Sequence, residues 1–173
     1  FVLRIEDTDR ERSTLDNEQV ILREMRWLGL EWDEGPEVGG DHGPYRQMDR
    51  LAIYRDYADR LVASGHAYRC YASKDELDAA RAKLKEGNPK AQFRYPGWWR
   101  EKTESDWLPG KPYVIRLKTP EDDGHTGYED LVFGSQSVPN STLQDVVLMR
   151  SDGVPLYNLG CVVDDITMAI TLV

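Results

Sequence analysis

The 173 residues are 40% hydrophobic and 31% charged, an ordinary balance for a globular chain, and long enough for one full domain or parts of two. No apolar run approaches the roughly 20 residues a membrane helix needs, and a net charge of −9 argues against a simple nucleic-acid-binding module, because phosphate contacts need Lys and Arg. Cys70 and Cys161 are too few and too far apart for a disulfide framework and read as reduced thiols of a cytosolic protein.

Phe1-Val2-Leu3-Arg4-Ile5-Glu6 is a short apolar run that suits a buried, parallel strand rather than a signal peptide, and its start at Phe1 reads as a cut within a longer protein. It ends in the acidic loop Glu6-Asp7-Thr8-Asp9, at the strand's carboxyl end, where open α/β sheets bind ligands. Residues 16–29 follow as a helix with Val20, Ile21, Glu24, Met25 and Leu28 on its expected inner face and Gly29 as its stop. Residues 33–45, rich in Gly and Pro, form a loop. A second helix is expected from about Met48 to Ala63, with Leu51, Tyr54, Tyr57, Ala58, Leu61 and Val62 as its apolar stripe.

Ala67 to Ala72 reads as a strand. Ser73-Lys74-Asp75-Glu76 is a capping box that starts a third helix ending near Gly87. Residues 88–112 hold four Pro and two Gly and read as irregular, and Pro112 to Lys118 as a strand. Asp145 to Arg150, a Ser151-Asp152-Gly153 turn, and Val154 to Asn158 have the pattern of a hairpin. The end, from Val162 to Val173, is apolar around Asp164-Asp165. The order suggests a nucleotide-type α/β domain interrupted by an inserted module. Charge follows the same division: residues 1–66 carry 9 basic and 15 acidic side chains, whereas residues 81–102 carry seven basic ones against Glu86 and Glu101. An acidic body with one basic segment can still touch a polyanion locally.

Several separated strings are collinear with one family. Phe1 to Ser13, with Leu3-Arg4-Ile5-Glu6-Asp7-Thr8-Asp9-Arg10 at its centre, resembles the hallmark strand and loop of glutamyl-tRNA synthetases. Trp27-Leu28-Gly29-Leu30 with Asp33-Glu34-Gly35-Pro36, then Gly43-Pro44-Tyr45-Arg46-Gln47 through Arg50 and Tyr54, continue the resemblance. Arg94-Tyr95-Pro96-Gly97 is similar to the family's Arg-Tyr-Asp-Gly element, and Ser151-Asp152-Gly153 with Pro155, Tyr157 and Val162-Val163-Asp164-Asp165 to its re-entry into the catalytic domain. Any one string alone is weak; the ordered set is specific.

The resemblance implies a class I synthetase: a Rossmann-like, doubly wound parallel sheet, present in part, interrupted by an inserted α+β module that binds the tRNA acceptor stem. Residues 1–66 would be the first part of the catalytic domain, 67–154 the insertion and 155–173 the start of its second half. The implied reaction is ATP-dependent activation of L-glutamate to glutamyl adenylate, then transfer to the 3′ terminal adenosine of tRNA(Glu), in the cytoplasm, with Mg2+ accompanying ATP. The family's two ATP signatures have no counterpart among these residues, so the chain by itself is expected to be inactive, and no residue is assigned a catalytic role.

The resemblance places Glu6 at the α-ammonium of glutamate, with Tyr157 and Cys161 lining the same pocket. A carboxylate at a strand end in a partly desolvated cleft suits a cation; the plainer reading is a solvated loop acid. Thr8, Asp9 and Arg12 would lie near substrate and the tRNA 3′ end, and the loop's acids suggest a weaker alternative, a Mg2+ site. Lys83, Lys85, Lys90 and Arg94, interleaved with Phe93, Tyr95, Trp98 and Trp99, suit RNA contact, against the plainer reading of a solvated charged face. Some relatives hold zinc in the insertion from a Cys-x-Cys pair; here that pair reads Cys70-Tyr71-Ala72, with Trp99 at the later position. One cysteine makes no tetrahedral site, so no zinc is expected. Leu156 stands where relatives often have Thr, and Ile166 and Leu172 where they often have His. Two further readings remain: a shortened paralogue that attaches glutamate to queuosine in a tRNA, and a stand-alone RNA-binding module.

Overall fold

The computed structural model describes all residues, 1–173, and divides into two compact units. Unit 1 comprises Phe1–Asp59 and Leu148–Val173, and unit 2 comprises Arg60–Val147. The boundaries drawn from sequence lie seven residues further along the chain at both junctions.

In unit 1 the N-terminal run is extended and pairs in parallel with the Gly/Pro-rich loop through single bridges, Val2 with Glu34 and Ile5 with Arg46. The Leu3 and Ile5 amides donate to the Glu34 and Tyr45 carbonyls, both at 2.8 Å, and the Gln47 amide returns a bond to the Ile5 carbonyl at 3.0 Å. The pairing has the parallel sense expected but stays as two bridges, because the loop turns back on itself between them: Gly35 and Gly39 exchange amide bonds of 3.1 and 2.8 Å. Glu34 pins that loop. It accepts from the Tyr45 hydroxyl and from the backbone and ring of His42, and these bonds, Tyr45 first, hold its carboxyl down at about 2. Gly40, at φ +140°, is required there, since a Cβ would come within 2.1 Å of the Glu34 side chain.

Helix α1 spans Leu15–Trp27, with the Thr14 side chain accepting from the Asn17 amide as its cap. Its inner face is not the one the apolar spacing suggests. Glu18 and Leu22 are buried, whereas Val20, Ile21 and Leu28 are exposed. The reason is electrostatic: Glu18 takes both guanidinium bonds of Arg46, at 2.6 and 3.0 Å, and a bidentate pair of that kind fixes the helix's rotation. Helix α2, Leu51–Ala63, follows a 3-10 turn over Gln47–Arg50. It buries Tyr54 and Ala58 from the expected stripe. Helix α4, Tyr157–Thr167, buries Leu159, Gly160, Val163 and Asp164. With Leu22, Tyr54, Ala58, Leu148, Met149 and Met168 these make the core of this unit.

In unit 2, β1 (Ala67–Cys70) pairs antiparallel with β2 (Val114–Leu117), Ala67 facing Leu117. On the other side of β2 the Leu117 amide donates to the Val146 carbonyl at 3.0 Å, just before β5, Val147–Met149. Helix α3, Lys74–Gly87, has the capping box read from sequence, with Ser73 and Glu76 bonding reciprocally, and buries no residue. The Pro-rich segment after it is irregular apart from a 3-10 turn at Glu104–Asp106. Beyond the sequence reading lies a hairpin of β3 (His125–Asp130) and β4 (Gly134–Pro139). The expected hairpin at 145–158 forms in its inner part: Met149 bridges Pro155, and the Arg150 and Leu156 amides donate to the Val154 and Leu148 carbonyls at 2.9 and 2.8 Å. It stops at Leu156 because α4 starts at Tyr157 and takes Asn158 into its first turn.

Candidate functional site

Two elements of unit 1 build the site. In an extended run residues i and i+2 share a face, so Arg4 and Glu6 project together. On a helix residues i, i+4 and i+8 form a stripe, so α4 presents Tyr157, Cys161 and Asp165 in line, with Asp164 one position inward. The two sets meet. Cys161 Sγ–H donates to Glu6 Oε1 at 3.2 Å, and Arg4 Nη2 donates to the same oxygen at 3.2 Å. Arg4 Nη1 reaches Asp165 Oδ1 at 2.8 Å, and its Nε lies 3.3 Å from Asp164 Oδ2.

Asp164 is wholly buried. It accepts from Arg50 Nε at 2.7 Å, from the Tyr54 hydroxyl at 2.8 Å and from Gln47 Nε2 at 3.0 Å. Gln47 gets that close because Gly160 has no side chain: a Cβ there would sit 3.0 Å from Nε2. Arg50 is itself buried and donates onward to the Pro44 carbonyl at 3.0 Å and to Thr167. A carboxylate taken out of water needs donors of this number to offset its lost hydration.

The carboxylates Glu6, Asp164 and Asp165 thus stand against the guanidiniums of Arg4 and Arg50, which leaves one negative charge in surplus. Glu6 is the most open of the three, 41% exposed against 33% and 0%. It faces a cavity of about 350 Å³ that Arg4, Arg12, Glu18 and Arg46 also line. Burial first, then the bond to Glu6, pushes the Cys161 thiol up to about 11, so it stays a protonated donor. Tyr157 is 70% exposed, and Cys161, then Glu6, raise its hydroxyl above the ordinary value.

The other sequence candidates fall elsewhere. Thr8 and Asp9 line a second cleft of unit 1, about 460 Å³, with Arg150, Asp152 and Leu156. Arg12 is tied to Asp9 through Nε at 2.6 Å, which holds Asp9 below the usual carboxylate range. The acids of this loop do not converge: Asp7 accepts the Met48 amide at 2.9 Å while Asp9 faces Arg12. In unit 2, Lys83 and Lys85 lie on α3 and Lys90 just beyond it, all exposed. Arg94 donates to the carbonyls of Ser141 at 2.6 Å and Thr142 at 2.5 Å. Tyr71, in the Cys70-Tyr71-Ala72 string, packs on Trp99 with ring centroids 4.8 Å apart, and Cys70 Sγ–H donates to the Tyr95 hydroxyl at 3.2 Å.

Sequence reasoning gave no role to Arg4, Gln47, Arg50, Tyr54, Asp164 or Asp165. One signal was available: Asp164 interrupts an apolar run from Val162 to Ile166, and a carboxylate inside such a run must be paired. Its partners, over a hundred residues away, were not readable.

With this geometry in hand, the chain can be set beside the known proteins it resembles. The family of class I tRNA synthetases (E and Q), catalytic domain, matches residues 1–173. The chain belongs to this family. It is 56% identical to a glutamate–tRNA ligase of Anaeromyxobacter sp. over all 173 residues, which is 35% of that protein. It is 48% identical to the glutamate–tRNA ligase of Myxococcus xanthus, over 36% of that protein. A crystal structure of a glutamate tRNA ligase from Elizabethkingia meningosepticum, in complex with its amino acid, superposes with a TM-score of 0.87 at 34% identity, covering 99% of this chain and 36% of that one. The synthetase chain therefore spans about a third of the length of the relatives it matches, and its mixed α/β architecture is that of the matching part of the solved ligase. None of its helices is long and apolar enough to cross a membrane.

Proposed function

We propose that this synthetase chain is the part of a bacterial glutamate–tRNA ligase that holds the amino end of L-glutamate and meets the acceptor end of tRNA(Glu). The whole enzyme would use ATP with Mg2+ to form glutamyl adenylate and pass the glutamyl group to the terminal adenosine of the tRNA, in the cytoplasm where translation proceeds. No residue of this chain is assigned to ATP or Mg2+. No zinc is assigned either, because Ala72 and Trp99, at the positions that would complete the site, offer no ligand beside Cys70.

The observation that carries the reading is Glu6: a part-exposed carboxylate with the surplus negative charge of its cluster, facing a cavity large enough for an amino acid. A carboxylate so placed suits an ammonium group. Tyr157 and Cys161, which do not line that cavity, would approach the ammonium from α4, where Cys161 already contacts Glu6. The inserted module would be residues 67–154, and Thr8, Asp9, Arg12, Lys83, Lys85, Lys90 and Arg94 would face the tRNA. Arg94 would contribute its charge and its remaining N–H groups, since the two carbonyl bonds use only two of its five donors.

The test is Glu6→Gln in the complete ligase, which keeps the shape and removes the charge. Loss of a charge-assisted contact to the ammonium should lower kcat/KM for glutamate by roughly 30- to 1000-fold, with KM for ATP little changed. A folded variant that activates glutamate within about threefold of wild type removes Glu6 from the site.

A further inference from the structure

We propose that Arg4 is a positioning residue that decides which oxygen of Glu6 meets the substrate ammonium. The proposal rests on the reading of Glu6 given above and adds a residue to it. The two oxygens of that carboxylate are not equivalent. Oε1 takes the Arg4 Nη2 bond and the Cys161 thiol bond, both at 3.2 Å, so its two lone pairs are filled; Oε2 takes neither.

A free glutamate side chain on an extended backbone samples several rotamers, and an incoming cation would have to freeze them at its own cost in affinity. With Oε1 held from two directions, the rotamer is chosen before substrate arrives and Oε2 is the oxygen on offer.

Arg4 can do this because it is itself held. Its side chain is only 17% exposed; Nη1 donates to Asp165 at 2.8 Å, and Nε, which makes no hydrogen bond, lies in ion-pair range of Asp164 at 3.3 Å. Asp164 in turn is fixed by Arg50, Tyr54 and Gln47. A planar guanidinium spans three carboxylates at once; a lysine ammonium, a point charge, does not. The orientation of Glu6 thereby derives from the packed core through one arginine.

The rival role for Arg4 is to neutralise Asp164 and stabilise the unit, which would affect every ligand of the site alike. Glutarate separates the two roles, since it keeps both carboxylates of glutamate and lacks the ammonium. In the complete ligase, glutamate-dependent pyrophosphate exchange gives KM for glutamate and for ATP, and glutarate is tested as a competitive inhibitor. Arg4→Gln and Arg4→Lys are expected to raise KM for glutamate roughly tenfold or more, with KM for ATP and the glutarate inhibition constant staying within about twofold.

Combining Arg4→Gln with Glu6→Gln should add little to Glu6→Gln alone, since both remove one function. A folded Arg4 variant with unchanged KM for glutamate, or one that weakens glutarate as much as glutamate, overturns the proposal. If neither Arg4 variant folds, Asp165→Asn removes the shortest anchor of Arg4 at a part-exposed position. It should raise KM for glutamate about threefold with the same indifference to glutarate, and an unchanged KM is equally fatal. Where Glu6→Gln is silent, the site reading and this proposal fall together; where it acts and the Arg4 series does not, only the positioning role falls.

Discussion

Asp145 does for unit 2 what Asp164 does for unit 1. It is buried and accepts from Arg100 Nη1 at 2.6 Å, from the Tyr68 hydroxyl at 2.7 Å and from the amide and hydroxyl of Thr119 at 2.9 and 2.8 Å. Burial by itself would push its carboxyl up; the Arg100 bond, then the Tyr68 and Thr119 bonds, outweigh burial and hold it below the usual carboxylate range. A depressed folded pKa gives stability that is complete above the unfolded value, near 3.9, and is lost as pH falls through the folded value. Asp145→Asn leaves Arg100 without its buried counter-charge and should cost about 3–5 kcal/mol at pH 7. That gap should narrow below about pH 4, because only the wild type has the proton-linked term to lose. Urea unfolding of both proteins at pH 7 and in acid measures it, and a gap that does not change with pH denies the charge its role. Nothing in the linear sequence announced this cluster: Tyr68, Arg100 and Asp145 are separated by 45 and 77 positions, and spacing carries no information at that range.

Helix α4 begins without a cap. Leu156 holds the N-cap position at φ −87°, ψ 163°, an extended conformation, and its side chain makes no capping bond. A threonine hydroxyl there can accept from an orphan amide of the first turn, so Leu156→Thr should stabilise the protein by about 1 kcal/mol. Leu156 is 39% exposed, so the apolar area given up is modest. Chemical denaturation checks the sign; a loss of stability means that packing of Leu156 in its cleft outweighs the cap. The same position shows why elements differed in how far they were legible. A start marked by a side-chain pair, Ser73 with Glu76 for α3, stands in the sequence. The unmarked start of α4 does not, and its first residues were assigned to a hairpin arm. The face of α1 was misjudged because apolar spacing says nothing of a glutamate drawn inward by Arg46. The β3–β4 hairpin was missed for the opposite reason: Leu131, Val132 and Phe133 at its tip are exposed, and its strands lack the alternation that burial of one face imposes.

At the scale of the whole chain, charge was legible in total and not in use. The net −9 and the basic segment 81–102 are facts of composition, yet most of that segment's cations are already engaged. Arg100 is buried on Asp145, Arg81 pairs with Asp78 at 2.6 Å, Lys102 lies 3.4 Å from Asp106, and Arg94 serves two carbonyls. Lys83, Lys85 and Lys90 remain, exposed and without an ion pair. In an acidic protein they are the charges with most to gain from a polyanion, and each phosphate they neutralise would release counterions and steepen the dependence of affinity on salt. Replacing all three with alanine in the complete ligase should weaken tRNA binding and reduce the slope of log affinity against log salt by roughly two to three units. Glutamate activation should be unchanged, since none of the three lies in the Glu6 cluster. Titrating tRNA at several salt concentrations measures the slope, with pyrophosphate exchange as the parallel readout. If affinity and slope both stay at wild-type values, these lysines are a solvated face and their proposed role in tRNA binding falls.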